Sequence, residues 1–314
     1  MKVTEFMLNL QKRLIDERKV AESTANQYLQ TLWSLNGKAS FNNLAWTKKH
    51  DTIQTVIDTY AKSTQLNQLA VLTGILSLFA SKSTYKSTYN FWKEKMNEYK
   101  KEVNESTTPH EKSDTQEDNW ITWDDVSKKK QELKTEFLSF PLTKHITASQ
   151  YDKLLQYVIL SLYTDIAPRR NQDYLDMYVV KKLGKDADNN RNYYDLATHR
   201  FIFNKYKTSK TYGQQIEQVP AELQKVLSEF IKYHPLAKSN SKEFKLIVKF
   251  DGSSFNTINS ITRILNKIFD NHIGSSMLRH IYLSSKYGNQ LQEQEATAKA
   301  MGHSINEQKE YVKF

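Results

Sequence analysis

Cysteine is absent from all 314 residues, which excludes disulfides and thiolate metal sites. The eight histidines are scattered and form no His-Glu-x-x-His pair, so no metal is expected. No glycine-rich phosphate loop of the GxxxxGK[ST] kind occurs. No cofactor is therefore anticipated. Apolar runs stay well short of the ~20 residues needed to cross a bilayer. The opening residues Met1-Lys2-Val3-Thr4-Glu5-Phe6 lack the apolar core of a signal peptide. The expected location is intracellular, neither secreted nor in a membrane.

What is present is length, apolar content and positive charge. A chain of this length favours two domains, and 39% hydrophobic with 12% aromatic residues suffices for real cores. The net charge is +10, but residues 102–125 hold eight acidic side chains against one lysine. Without that −7 stretch the remainder carries +17. A charge of that size argues for a polyanionic partner, nucleic acid first.

The first hundred residues read as helices. Phe6, Leu10 and Leu14 share one helix face. A second helix is expected to begin at Ser23-Thr24, a third over 51–61, a fourth over 65–79 and a fifth over 87–101. Residues 102–119 lack an apolar period and read as a linker. Thr122 can cap a connecting helix, with Asp124 and Asp125 in its first turn. The expected division is thus a helical domain over 1–101, an acidic linker and connecting helix over 102–141, and a second domain over 142–314.

In the second domain, Thr147 and Gln150 make a capping box before a strongly apolar helix. Pro168 breaks it, and another helix can start at Arg169. Arginines at a helix start oppose the macrodipole, so Arg169 and Arg170 together suggest a bound anion. Phe201 and Phe203 alternate with polar neighbours, as in a half-buried strand. A turn over 208–213 and a return from Gln215 complete a hairpin. Near the end, Met277-Leu278-Arg279-His280-Ile281 is an apolar helix start, and Met301-Gly302 a helix stop. Ser304 and Glu307 form a capping box that places Tyr311 about two turns into a last short helix. His303 would leave the preceding helix with its ring free to enter a cleft, which fits a buried site.

The order Arg279, then Gly302-His303-Ser304, then Tyr311 resembles the tyrosine recombinase family of phage-type integrases. The resemblance extends upstream. Arg170 with Asp173, Leu175 and Met177 matches the family's first arginine box, with Arg169 the second choice. Lys207-Thr208 matches the lysine of its β-hairpin, with Lys210 the alternative. Glu22-Ser23-Thr24-Ala25-Asn26-Gln27-Tyr28 resembles the family's SAM-like core-binding domain. Two departures stand out: Ala167-Pro168 replaces the usual Gly, and Ser276 falls where a His or Lys is usual. His280 follows the second arginine, where a His in the family is usually structural, and His272 is an upstream alternative to the missing base.

The resemblance implies a mainly α chain with a small antiparallel β-sheet (α+β). It implies a site of Arg170, Lys207, Arg279, His303 and Tyr311, in which Tyr311 forms a 3′-phosphotyrosine and Lys207 protonates the leaving 5′ oxygen. Neither metal nor ATP is needed. Double-stranded DNA and self-association as a tetramer on DNA are the implied partners, and a virus or mobile element the implied context. A type IB-like topoisomerase and a non-catalytic DNA-binding protein are the alternatives.

Overall fold

The computed structural model describes residues 2–106, 111–141, 145–238 and 241–313. Residues 107–110 of the expected linker, and Leu142 at the expected start of the second domain, lie outside the described residues. The chain divides into two compact units, Met1–Glu111 and Lys112–Phe314.

The first unit is helical: α1 (Glu5–Asp16), α2 (Glu22–Leu35), α3 (His50–Asp58), α4 (Lys62–Leu76) and α5 (Ser83–Ser106). Thr4 caps α1 by accepting from the Met7 N–H at 3.3 Å. The buried stripe of α1 is Met7, Leu10 and Leu14, and Phe6 packs against the same core with its ring 6.2 Å from that of Phe41. Ser23 and Thr24 sit inside the first turn of α2, whose N-cap is Ala21 without a side-chain bond. The helix expected to begin at Ser23-Thr24 therefore starts at Glu22, one residue earlier. Helix α4 buries Leu69, Val71, Leu72, Ile75 and Leu76 on one broad face and leaves Asn67 and Ala70 exposed on the other. That broad apolar face lies towards the core of the unit, and α5 packs along the helix. Trp92 of α5 is fully buried and donates its indole N–H to the Thr47 carbonyl at 3.0 Å.

The second unit begins with α6 (Asp114–Asp118) and α7 (Trp123–Ser139). Both open on complete capping boxes, Ser113 with Gln116 and Thr122 with Asp125. Helix α7 buries Val126, Leu133 and Phe137 in the same core as α8 (Ala148–Thr164). Lys130 pairs with Asp165, and Lys153 with Glu136 at 2.9 Å. The helix expected to connect two domains is thus part of the second unit. Its apolar stripe needs the face of α8 to leave water.

Helix α8 is the axis of this unit; its residues from Leu154 to Tyr163 are all buried. Helices α11 (Ala221–Tyr233) and α12 (Asn259–Phe269) pack against it, and the unit also contains α9 (Asn171–Leu175), α10 (Ser209–Tyr212), α13 (Ser275–Met301) and α14 (Ile305–Tyr311). A five-stranded sheet lies beside them: β1 (Met177–Val180), β2 (Asn192–Asp195), β3 (Arg200–Phe203), β4 (Gln215–Gln218) and β5 (Glu243–Lys245), in the order β4-β3-β2-β1-β5.

The architecture is α+β and mostly helical, but the sheet is mixed rather than antiparallel. Strands β1 and β2 run parallel, with Met177 opposite Asn192. The other three pairings are antiparallel. The reason lies in β1, whose Met-Tyr-Val-Val is too short to show an alternation and reads in sequence as the tail of a helix. The expected strand up to Lys207 stops at Phe203, and α10 occupies the connection to β4. Among the described residues no helix is long and apolar enough to cross a membrane.

Candidate active site

Pro168 lies in the extended link between α8 and α9. Helix α8 ends at Thr164, before the proline, and α9 starts at Asn171 with Arg170 as its N-cap (φ −79°, ψ 149°). Asn171 fixes that start. It accepts from the Tyr163 hydroxyl at 2.6 Å and donates to the Ile258 carbonyl at 3.3 Å and the Thr262 hydroxyl at 2.9 Å. Helices α8, α9 and α12 are joined through this one buried amide. Its partners lie 8, 87 and 91 residues away, so the polar run Arg-Arg-Asn-Gln-Asp carries no sign of the role.

The two adjacent arginines differ in their commitments. Arg169 donates from Nε to Asp173 at 2.9 Å and from Nη1 to Gln215 at 3.0 Å. Its guanidinium lies 3.7 Å from the Phe203 ring centre and 5.3 Å from that of Tyr206. Arg169 therefore pins the start of α9 to β3 and β4 and has its guanidinium held by Asp173, Gln215 and the Phe203 ring. The Arg170 side chain has neither a hydrogen bond nor an ion pair among the described residues and is half-buried. Of the two, Arg170 has the guanidinium free for a ligand.

Asp173 is the centre of this cluster and is 3% exposed. Burial raises its pKa above the ordinary carboxylate value, while Arg169, Arg170 and Arg279 pull it down. The structure therefore brings both candidate arginines, 109 residues apart in sequence, within electrostatic reach of one carboxylate. Arg279 lies one turn into α13, where Met277, Leu278 and Ile281 anchor the helix in the core. Its buried Nε has no hydrogen-bond partner among the described residues, and neither has Asp173 Oδ1. Such atoms are rare in folded proteins and mark places where a ligand or water completes the bonding.

Lys207 is exposed and follows Tyr206 directly in the β3–β4 connection, next to the ring that Arg169 covers. Lys210 is exposed on α10. Ser276 and His280 are exposed on the first turns of α13, and His272 is exposed ahead of it. Among the described residues no group of three His, Asp or Glu could hold a metal ion.

His303 and Tyr311 are elsewhere. Helix α13 runs unbroken for 27 residues, from the apolar start around Arg279 to the stop at Met301-Gly302. Between Arg279 and Met301 its axis rises about 33 Å, at about 1.5 Å per residue. Gly302 then ends it in a left-handed turn (φ 75°, ψ 25°), with the His303 N–H bonded to the Ala298 carbonyl at 3.1 Å. This is the glycine stop read from the sequence. Ser304 caps α14 by accepting from the Glu307 N–H at 3.2 Å.

His303 is half-buried, and its ring stacks on Tyr311 at 5.8 Å with 26° between planes. Tyr311 is 69% exposed. The expected buried cleft holding all five residues is therefore not what the structure contains. It holds an arginine cluster around Asp173 and a His–Tyr pair at the far end of one helix. A continuous helix cannot fold back on itself, which keeps the two apart.

Comparison with known proteins adds little. No family model matches the chain, and no curated protein matches it. Among solved structures, the crystal structure of XerA recombinase is similar over 98% of this chain and 93% of that one, at 12% identity and a TM-score of 0.35.

Proposed function

We propose that this chain cuts and rejoins DNA strands as a tyrosine recombinase, with Arg170 and Arg279 holding the scissile phosphate and Tyr311 attacking it. The observation that carries the reading is the arginine pair. Two guanidiniums from distant parts of the sequence act on one buried carboxylate, and the buried Nε of Arg279 has no hydrogen-bond partner among the described residues. Three arginines around the single carboxylate of Asp173 leave an excess of positive charge, and a phosphodiester is a ligand that suits it. Guanidinium donates paired hydrogen bonds to phosphate oxygens and keeps its charge throughout.

In the reaction the Tyr311 hydroxyl oxygen bonds to phosphorus, and its proton passes to water or a neighbouring base. The bond from phosphorus to the 5′ oxygen breaks, and that oxygen takes a proton from the Lys207 ammonium. Arg170, Arg279 and His303 donate to the nonbridging oxygens as charge develops there. A 5′ hydroxyl then attacks the phosphotyrosine and restores the phosphodiester. Bond energy is conserved in the covalent link. The charge of +17 outside residues 102–125 supports a DNA partner.

Attack requires Tyr311 to reach the arginines. Either α13 bends, or the tyrosine serves the arginines of a second copy. The long separation favours one rival reading, a DNA-binding protein of this fold that does not cleave. Incubation with supercoiled plasmid, followed by detergent trapping, separates the readings. The cleaving enzyme leaves a covalent protein–DNA adduct, and Tyr311→Phe, which removes one oxygen at an exposed position, leaves none while still binding DNA. Tight binding with no adduct from the unmodified protein would establish the rival.

A further inference from the structure

Asn192 opens β2 and is 2% exposed. Its amide makes four hydrogen bonds, all to main chain. Nδ2 donates to the Asp173 carbonyl at 2.9 Å and to the Lys205 carbonyl at 2.9 Å. Oδ1 accepts from the Asn204 N–H at 2.9 Å and from the Lys205 N–H at 2.8 Å. That uses both donors and both lone pairs of the group.

The consequence is geometric. Strand β3 stops at Phe203, and the next two N–H groups turn onto the Asn192 side chain instead of continuing a ladder. The connection that follows is closed at its base. Asn204 donates to the Arg191 carbonyl at 2.8 Å and accepts from Gln214 at 2.6 Å. The Tyr206 hydroxyl donates to the Gly213 carbonyl at 2.8 Å. Lys207 is the first residue beyond this frame. The same Nδ2 that holds the Lys205 carbonyl also holds the main chain of Asp173, the carboxylate on which Arg170 and Arg279 act.

We infer that Asn192 is a positioning residue: one buried amide sets where Lys207 stands relative to Arg170 and Arg279, and so aims the proton that the leaving strand receives. The inference rests on the strand-cleavage reading above. Asparagine is needed because the group must donate to two carbonyls and accept from two N–H groups at once. A carboxylate of the same shape keeps the acceptors and loses both donors, and it faces the Asp173 and Lys205 carbonyl oxygens with its own charge.

The test uses a nicked duplex with random flanks around one scissile phosphate, made with either oxygen or sulfur in the 5′ bridging position. Sulfur leaves as a thiolate and needs no proton. Lys207→Ala is expected to form adduct slowly with oxygen and near the unmodified rate with sulfur. Asn192→Asp is expected to do the same, slowed by about 10²-fold with oxygen, the scale for misplacing a group by ~1 Å. The double variant should be no slower with oxygen than Lys207→Ala alone. Asn204→Ala, which cuts the next link of the frame without touching Asp173, is expected to show the same sulfur rescue to a smaller degree.

If Asn192→Asp and Asn204→Ala are slowed equally with oxygen and sulfur, or if losses multiply in the double variant, the positioning role is overturned while the cleavage reading stands. Failure of Asn192→Asp to fold, together with equal slowing of Asn204→Ala on both substrates, overturns it as well. If the unmodified protein forms no adduct with either substrate, the cleavage reading fails and this inference falls with it.

Discussion

Gly288 is the residue to change first, because it stands midway between the two halves of the candidate site. It lies inside α13, between the arginine turn and the glycine stop. A Cβ built there meets nothing within 4 Å. Alanine would therefore add no clash, and its effect would be on backbone freedom alone. In a helix interior alanine is favoured over glycine by about 1 kcal/mol. If Gly288 leaves the helical conformation when α13 bends, Gly288→Ala shifts the balance towards the straight helix by about fivefold. Single-turnover adduct formation should slow by about that factor. DNA affinity, measured by fluorescence anisotropy, should not move, because the arginine cluster is untouched. An adduct rate equal to or above that of the unmodified protein would refute the bending argument. Mixing Tyr311→Phe with Arg279→Ala would then show whether a second copy supplies the tyrosine, since only that route restores adduct from two inactive chains.

Arg170→Ala and Arg279→Ala should each slow adduct formation by about 10²-fold or more, the scale for losing a donor to developing negative charge; Arg169→Ala should instead lower thermal stability, because that side chain joins α9 to Gln215 and Phe203. DNA affinity should fall steeply between roughly 50 and 200 mM salt through counterion release, and a flat response in a filter-binding titration would remove DNA as the partner. His234 is buried, donates from Nε2 to the Leu246 carbonyl and accepts the Leu236 N–H at Nδ1, so it is held neutral. Burial lowers its pKa from 6.5 to about 4. Between those values the unfolded chain binds the proton and the folded one does not, so stability falls as pH drops, by about 3 kcal/mol across the window. Chemical denaturation at pH 7 and pH 4.5 should show that loss, and His234→Gln should flatten it.

The helices were legible because their signals are local. The Thr122 cap, the Thr147 capping box, the Ser304 half of the box expected with Glu307 and the glycine stop at Gly302 each need only three or four residues, and all start or end helices where read. Strand β1 was not legible, since four apolar residues fit a buried strand and a helix turn equally well. The contrast between Arg169 and Arg170 was also hidden. It depends on Gln215 and Phe203, which reach Arg169 only once β3 and β4 are paired. The course of α13 is the largest difference. The sequence between Arg279 and Ala296 holds no proline and one glycine, which leaves both a continuous helix and a broken one open.

The parallel pairing of β1 with β2 bears on the order in which this unit is assembled. Strands β2 and β3 are joined by four residues and can zip together early, at small cost in chain entropy. Strand β1 must instead be threaded between β2 and β5, and its partner β5 begins 63 residues after β1 ends. The β2–β3 pair is therefore the natural seed, and β1 a late arrival. Because α9 leads directly into β1, Arg170 reaches its place only when that strand docks. The arginine pair would then be the last part of the sheet side to become native and the first to come undone.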